Sequence, residues 1–209
     1  PLEKLSLLDL SQKTAFRVPV ACGGRGSEIQ ALAMDEPPRL GRKDGVSLLP
    51  RAGFLAKNQT MSFTPKPVFL PDLALLAGRS EKPWCPVRAL KWYLKRTERL
   101  RTSQHLFVSV NAPHGPAARD TIGRWVASVI RSAHKNHHDG LTGSRVNPHS
   151  IRAQASSWAF YKGSSMSDIL DTIGWSSTTT FQMAYLKDVL VRRGGVAVQA
   201  LSAGRQRSK

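Results

Sequence analysis

The chain has 209 residues, 41% of them hydrophobic, and carries 31 Lys and Arg against 14 Asp and Glu, a formal charge of +17. This length suits one large domain or two small ones, and the hydrophobic content excludes a disordered chain. Such a positive excess favours a polyanionic partner, with nucleic acid the leading candidate. The alternative is a basic protein whose charge serves only solubility. The basic residues are spread along the sequence, which favours a surface that wraps a duplex over a single basic arm.

The two cysteines, Cys22 and Cys85, match neither a metal-ligand spacing nor a redox spacing. We therefore expect no disulfide framework and a reducing, intracellular location. No apolar stretch is long enough to span a bilayer and no signal-peptide pattern opens the chain, so no membrane partner is expected. The opening residues, PLEKLSLLDLSQKTAF, read as the interior of a longer protein.

The first part of the chain predicts helices. Residues 3–21 have apolar positions at helical spacing, Leu8 and Val20 among them, and form one amphipathic helix or two because Pro19 weakens a continuous one. The Cys-Gly-Gly sequence that follows breaks the pattern. A second helix is predicted over residues 25–33.

The middle of the chain predicts a small sheet, and the remainder predicts helices. Residues 35–45, DEPPRLGRKDG, predict a loop because Pro, Gly and Asp cluster there. The runs VSLLP, GFLA and PVFLP predict short antiparallel strands. Helices are predicted over residues 84–101, 121–137, 149–163, 167–175 and 178–193, with Gly163 as a stop and Ser167 as an N-cap. The expected fold is mainly α with a small antiparallel β-sheet (α+β).

Three short segments hold cations that could bind phosphate. In GGRGSE, Arg25 follows two glycines at a helix start, where free N–H groups favour an anion; the alternative is a surface arginine after a helix break. Lys57 in GFLAKNQ stands where a strand would turn, a place where a lysine is usually only a solvated charge. In NPHSIR, His149 and Arg152 share a helix face, but a helix start with two exposed polar residues would look the same. An arginine grips phosphate with two parallel donors, and an imidazole donates a hydrogen bond or moves a proton.

The fourth segment, GWSSTTTFQMAY, holds Trp175, whose indole has one N–H donor, and Tyr185, which ends an apolar helical run. A tyrosine in such a run belongs to the core more often than it attacks a substrate. HHDG at residues 137–140 has the residue types of a metal site, and a solvated loop is the preferred interpretation. In the helix after His149, we expect four side chains to anchor the first turn against the core: Ala155, Trp158, Ala159 and Phe160.

In chain order these residues form the series Arg, Lys, His-x-x-Arg, Trp, Tyr. The series resembles the catalytic domain of the tyrosine recombinases, with GGRGSEIQAL similar to the first-arginine motif, PHSIR to the His-x-x-Arg motif and IGWSSTTTFQMAY to the closing segment. FLAKNQ, CPVRALKWYLKRT with LFVSV, and WSSTTTFQMAYL are further similar to the recombinases of DIRS-like and Ngaro-like retroelements. The resemblance implies a catalytic domain over residues 1–190, a basic tail over 191–209, and an N-terminal core-binding domain outside this chain.

The resemblance also implies a transesterification at a DNA phosphate, without metal or cofactor. Tyr185 would attack, form a covalent 3′-phosphotyrosine and release a 5′-hydroxyl. The other implied roles are a clamp of the phosphate oxygens by Arg25 and Arg152, a hydrogen bond from Trp175 and protonation of the leaving oxygen by Lys57. His149 would assist, either as a donor to the phosphate or as a proton acceptor from Tyr185. The implied partner is double-stranded DNA, with self-association into a synaptic tetramer and no small-molecule substrate, in the nucleus or in the cytoplasm before import.

Some positions depart from the common pattern of the family. Ala153 stands where a second histidine is frequent, and the step from Trp175 to Tyr185 is ten residues, one more than in the common bacterial pattern. Tyr161 and Tyr93 are the other candidate nucleophiles, and both match the pattern less well. A catalytically inactive DNA-binding domain of the same fold is the alternative function, and a relaxing topoisomerase is a third.

Overall fold

The computed structural model describes residues 1–34, 39–42, 44–55, 67–78, 82–134 and 150–186. Lys57, His149, the HHDG segment and the predicted basic tail lie outside these ranges. The elements in chain order are a 3-10 turn Leu2–Lys4, α1 Leu7–Cys22, α2 Gly26–Ala31, β1 Leu32–Ala33, β2 Arg39–Arg42, β3 Gly45–Pro50, β4 Val68–Pro71, α3 Leu73–Leu76, α4 Pro86–Thr97, α5 Arg119–His134, α6 Ser150–Tyr161, α7 Met166–Ile173, α8 Thr178–Thr180 and a π-helical turn Phe181–Tyr185. The described part is mainly helical with a small antiparallel sheet, which confirms the expected fold class.

Helix α1 is the centre of the main core and packs against α4, α5 and α6. Its buried stripe includes Leu10, Ser11 and Thr14. Two of the apolar positions that define the predicted helix, Leu8 and Val20, are 42% and 41% exposed, so the apolar pattern marks the helix more reliably than its buried face. The buried hydroxyls of Ser11 and Thr14 are satisfied within the helix, because each donates to a backbone carbonyl one turn earlier.

The end of α1 fits closely against the end of α7. α1 runs through Pro19 as one helix, because a proline in the last turn removes only one bond near the helix end. Gly23 then adopts a left-handed conformation, with φ of 61°, and its N–H donates to the Pro19 carbonyl over 2.8 Å. A Cβ at Gly23 would lie 2.8 Å from Cγ1 of Ile173, the last residue of α7. Only glycine therefore lets these two helix ends approach so closely.

The sheet is built around β3, which pairs antiparallel with β1, β2 and β4. The strands predicted from VSLLP and PVFLP are confirmed as β3 and β4. The described part of GFLA, residues 53–55, forms no strand, because Gly53 turns the chain with φ of 75°. β2 lies inside the segment predicted as a loop, where pairing with β3 outweighs the local turn-forming composition.

A second, smaller core forms near the end of the described chain from Ile169, Trp175 and Phe181. α7 enters it from an N-cap at Ser165, whose hydroxyl accepts the Asp168 N–H over 3.0 Å. The prediction of Ser167 as this cap is wrong, because the helix begins one residue before Ser167 and contains it. Gly174 ends α7 in a left-handed conformation and turns the chain so that Trp175 packs back onto the cluster.

Helix α6 joins the two cores with a different face from the predicted one. Trp158 and Phe160, predicted as anchors, are 44% and 37% exposed. The buried side consists of Ile151, Arg152, Ala153, Ser156 and Ser157. The prediction was wrong for Trp158, because aromatic size was taken as the sign of burial. It holds in part for Ala159, which packs against the second core, and for Phe160, whose ring lies 5.7 Å from the Phe181 ring.

Both cysteines are free and buried, in agreement with the expected absence of a disulfide. Within the part of the chain that the structure describes, no helix has the length and apolarity needed to cross a membrane.

Candidate active site

The first part of the site is the start of α2, where Arg25 is the N-cap residue. The Glu28 carboxylate accepts the Arg25 backbone N–H over 2.7 Å and the Arg25 Nη1 over 2.9 Å. One carboxylate thus satisfies a free N–H of the helix start and holds the arginine side chain. The Arg25 side chain stays 35% exposed, so it is accessible to a ligand.

Arg152 approaches the same carboxylate from the first turn of α6. It is only 4% exposed, and its Nη1 donates to the Gly23 carbonyl over 2.9 Å and to Glu28 Oε2 over 3.3 Å. Its Nη2 donates to the Ile173 carbonyl over 3.0 Å. Gly23 and Ile173 lie at the C-terminal ends of α1 and α7, where the helix dipoles favour a cation. Arg152 therefore joins α6 to the segment 23–28 and to the end of α7.

Two buried donors at this place have no acceptor among the described residues. The three bonds of Arg152 are made by its Nη1 and Nη2 atoms, which leaves its Nε without a bond. Both Arg152 Nε and the indole Nε1 of Trp175 are buried without a hydrogen-bond partner in the described structure. A buried donor without a partner costs about 1–3 kcal/mol, so an oxygen acceptor that reached this place would be stabilised.

Tyr185 completes the cluster. Its ring lies 4.5 Å from the Trp175 ring, centroid to centroid. The Arg152 guanidinium carbon lies 4.9 Å from the Trp175 ring and 5.8 Å from the Tyr185 ring. Cation–π contacts of this kind hold a guanidinium against aromatic faces. The structure thus brings together four of the six candidate residues, namely Arg25, Arg152, Trp175 and Tyr185.

The environments of the two arginines differ. Burial lowers the pKa of Arg152 despite the opposing charge of Glu28, and the nearby charge of Arg25 lowers it further. Burial acts in the same direction on Arg25, but the hydrogen bond and charge of Glu28 and an interaction with Tyr185 outweigh it, so the pKa of Arg25 is raised. Both guanidinium groups stay charged at neutral pH, since the ordinary arginine pKa is above 12. The site therefore holds two cations against one carboxylate.

The other candidate tyrosines lie elsewhere. Tyr93 is buried in the main core, where its hydroxyl accepts the Val108 N–H over 2.9 Å. Tyr161 is 46% exposed at the end of α6, with its ring against Phe160. Tyr185 is therefore the tyrosine that the described structure places against the arginines.

Glu28 is the site residue that sequence reasoning missed. GGRGSE drew attention to Arg25 alone, although a glutamate three residues after an N-cap is a recognised helix-start signal. The two remaining candidates, Lys57 and His149, lie outside the described residues and stay predictions.

A groove of about 300 Å³ lies beside the Arg25 loop, between α2 and α5. Its walls include Gly24 and Gly26, which flank Arg25, and Ile151, which precedes Arg152. Three arginines of α5 line it: Arg119, Arg124 and Arg131. The cationic site thus continues into a cationic groove, an arrangement that suits an extended polyanion.

Sequence comparison finds no matching protein-family model and no matching curated protein. The solved structures that match this chain include a recombinase and a transposon integrase. The crystal structure of XerA recombinase matches with a TM-score of 0.59 at 16% identity, covering 98% of this chain and 64% of that one. The Tn1549 transposon integrase in complex with transposon right end DNA matches with a TM-score of 0.55 at 14% identity, covering 90% of this chain and 58% of that one. The chain thus spans about three fifths of each, and it has the fold of a tyrosine-recombinase catalytic domain.

Proposed function

We propose that this chain cleaves and rejoins DNA strands through a covalent 3′-phosphotyrosine at Tyr185. One observation carries the proposal. Arg25, Arg152 and Tyr185 come from three distant parts of the sequence and converge beside Glu28 and Trp175. A phenol nucleophile next to two cations is the arrangement that transesterification of a phosphodiester requires.

In the proposed step, the Tyr185 Oη attacks the phosphorus, a P–O bond to tyrosine forms, and the bond from phosphorus to the 5′-oxygen breaks. The phosphodiester is retained on the enzyme, so the released 5′-hydroxyl can reverse the step and rejoin the strand. Charge develops on the non-bridging oxygens, where Arg25 and Arg152 stabilise it. The phenol proton passes to His149, and Lys57 protonates the leaving 5′-oxygen.

The unsatisfied donors support the same assignment. The Arg152 Nε and the Trp175 Nε1 are the buried groups that a phosphate oxygen would satisfy, and they lie next to the Tyr185 ring. Arg25 is the more exposed of the two arginines, so a phosphate would meet it first.

No described group of three or more His, Cys, Asp or Glu has a metal-binding arrangement, and the proposed step uses only side chains of this chain.

Double-stranded DNA is the proposed partner. The formal charge of +17 and the three arginines of the groove favour it, and the Tn1549 integrase, which has this fold, was solved in complex with DNA. Assembly into a synaptic tetramer, action in the nucleus and descent from a DIRS-like retroelement belong to the same proposal and rest on the sequence resemblance.

A nicked suicide duplex tests the proposal against the alternative of an inactive DNA-binding domain. Cleavage near the nick releases a short strand that diffuses away, so the covalent intermediate accumulates. We expect a denaturation-resistant adduct with the unaltered protein and with Tyr161→Phe, and none with Tyr185→Phe. DNA binding without an adduct from the unaltered protein would support the inactive domain instead.

A further inference from the structure

The backbone carbonyl of Tyr185 is held by a side chain of another helix. The chain turns extended after Tyr185, because Leu186 has φ of −64° and ψ of 116°, so the helix does not continue past it. Carbonyls at a helix end lack intrahelical donors and need others. The Ser157 hydroxyl, on α6, donates to the Tyr185 carbonyl over 3.2 Å.

The turn that carries Tyr185 contacts the other described residues mainly through its two ends. Its Leu186 N–H donates to the Phe181 carbonyl over 2.7 Å, the five-residue step of a π-helix. Phe181 is fully buried, but the next three residues, Gln182, Met183 and Ala184, are exposed. Within the described ranges the turn is thus anchored at its two ends: by the Phe181 side chain at one end, and by the packing of Tyr185 and Leu186 and the Ser157 bond at the other.

Ser157 shares its helix with Arg152. Both are buried in α6, five residues apart, which corresponds to about 7.5 Å along a helix axis. An α-helix keeps residues at this separation at a constant spacing, whereas three residues of the π turn are exposed and have no packing of their own against the described core. The bond from Ser157 to the Tyr185 carbonyl therefore fixes the position of Tyr185 relative to α6. Because Arg152 also belongs to α6, the bond fixes Tyr185 relative to the Arg152 guanidinium.

We propose that Ser157 is a positioning residue that holds Tyr185 at the distance from Arg152 that attack on the phosphate requires. The inference rests on the proposed function for its catalytic consequence, but the placement of Tyr185 is measurable without any reaction. Ser157 exchanges no proton with the substrate, and its proposed effect on the reaction runs through the bond to the Tyr185 carbonyl.

The first test compares Ser157→Ala with Ser11→Ala. Ser11 is also a buried helical serine whose hydroxyl donates to a backbone carbonyl, and it lies in α1 away from the site. At saturating protein we expect Ser157→Ala to lower the single-turnover cleavage rate roughly tenfold to a hundredfold, because a misplaced nucleophile loses its near-attack geometry. The DNA dissociation constant and melting temperature should match those of Ser11→Ala. A loss confined to DNA binding, or an equal rate loss in both variants, would overturn the inference.

A second experiment distinguishes an effect of Ser157 on Tyr185 from an effect on the two arginines that bind the phosphate. Hydrogen peroxide supplies a small external nucleophile that can attack the phosphate when the phenol is gone. Peroxide-dependent cleavage should be the same in the single variant Tyr185→Phe and in the double variant that adds Ser157→Ala, because the arginines are unchanged in both. A loss of this cleavage in the double variant would mean that Ser157 supports the clamp and not Tyr185.

The third arm needs no cleavage. With 3-fluorotyrosine incorporated, the ¹⁹F signal of Tyr185 is assigned by its disappearance in Tyr185→Phe and reports the Trp175 ring 4.5 Å away. We expect this signal to move towards the free-tyrosine position in Ser157→Ala and to stay in Ser11→Ala. An unmoved signal in Ser157→Ala overturns the inference. A moved signal in a protein that forms no DNA adduct would reject the proposed function and leave the placement of Tyr185 by Ser157 standing.

Discussion

At the scale of single residues, Glu28 is what allows two arginines to occupy one site. Arg25 and Arg152 carry like charges, and each donates to a different oxygen of this carboxylate. Arg152 is almost fully buried, and a buried charge needs a partner. Glu28 therefore positions the proposed phosphate clamp before any phosphate arrives.

Glu28→Gln tests this role because it keeps the size of the side chain and removes its charge. We expect the free energy of unfolding to fall by about 1–3 kcal/mol, since the buried Arg152 loses its charged acceptor. Denaturation in urea measures the change. Glu3→Gln is the matched control, because Glu3 pairs with Arg88 at the surface over 3.5 Å and should contribute less than about 1 kcal/mol. Equal effects of the two substitutions would contradict the role of Glu28.

Cys22 provides a pH-dependent test of the packing beneath the site. Burial raises the pKa of its thiol from 9.0 to about 12. Between these values the unfolded chain releases the thiol proton and the folded chain keeps it, so the free energy of unfolding should fall as pH rises from about 9 towards 12. Cys22→Ala should show a shallower decline over that range in denaturation curves. The same slope in both proteins would place the thiol in a more solvated environment.

At the scale of elements, the π turn explains how Tyr185 reaches the arginines. The turn begins at Phe181, which fills the second core next to Trp175, with ring centroids 5.6 Å apart. π-helical turns occur mostly as single insertions in helices, often at functional sites. Here the turn brings both Tyr185 and Leu186 against the same cluster, while the residues between Phe181 and Tyr185 face solvent.

Phe181→Ala should therefore detach the turn. Removal of a fully buried phenylalanine costs roughly 3 kcal/mol or more where the site does not collapse. We expect lower stability in thermal unfolding together with loss of the covalent adduct. Met183→Ala, in the same turn at an 85% exposed position, should change neither. An intact adduct in Phe181→Ala would show that the second core does not hold Tyr185.

The sequence predicts most of the helices and the motif residues, because helical periodicity and residue type are local properties. The helix predicted over residues 178–193 is wrong, since a short helix and a π-helical turn end at Tyr185 and Leu186 is extended. Arg25, Arg152, Trp175 and Tyr185 are all identifiable from their types and order, and the structure brings them together. The buried face of α6 and strand β2 were missed because they depend on what packs or pairs against them. The π turn was also missed, and its sign in the sequence is the ten-residue step from Trp175 to Tyr185.

At the scale of the whole molecule, two cores meet at one guanidinium. α1 belongs to the main core and α7 to the second, and Arg152 donates to a carbonyl at the end of each. The proposed phosphate site therefore lies where the two cores join. The arginine-lined groove extends from this junction along α5, so a long polyanion could occupy both.

Salt dependence of DNA binding tests this surface. Each lysine or arginine that neutralises a phosphate contributes about one unit to the slope of log K against log salt. We expect Arg124→Gln and Arg131→Gln each to weaken binding across DNA sequences and to reduce the slope by about one. Arg99→Gln removes an exposed cation outside the groove and should leave the slope within about half a unit of its original value. An unchanged slope in the groove variants would mean that DNA lies elsewhere.

Mapping the covalent adduct tests the central claim most directly. The protein is trapped on a suicide duplex and digested, and the DNA-linked peptide is identified by mass spectrometry. In parallel reactions the cleaved strand is labelled at its 5′ end or at its 3′ end. The account predicts a phosphodiester link between Tyr185 and the 3′ end of the 5′-labelled fragment, and release of the 3′-labelled fragment with a free 5′-hydroxyl. A link through Tyr161, or retention of the 3′-labelled fragment, would contradict it.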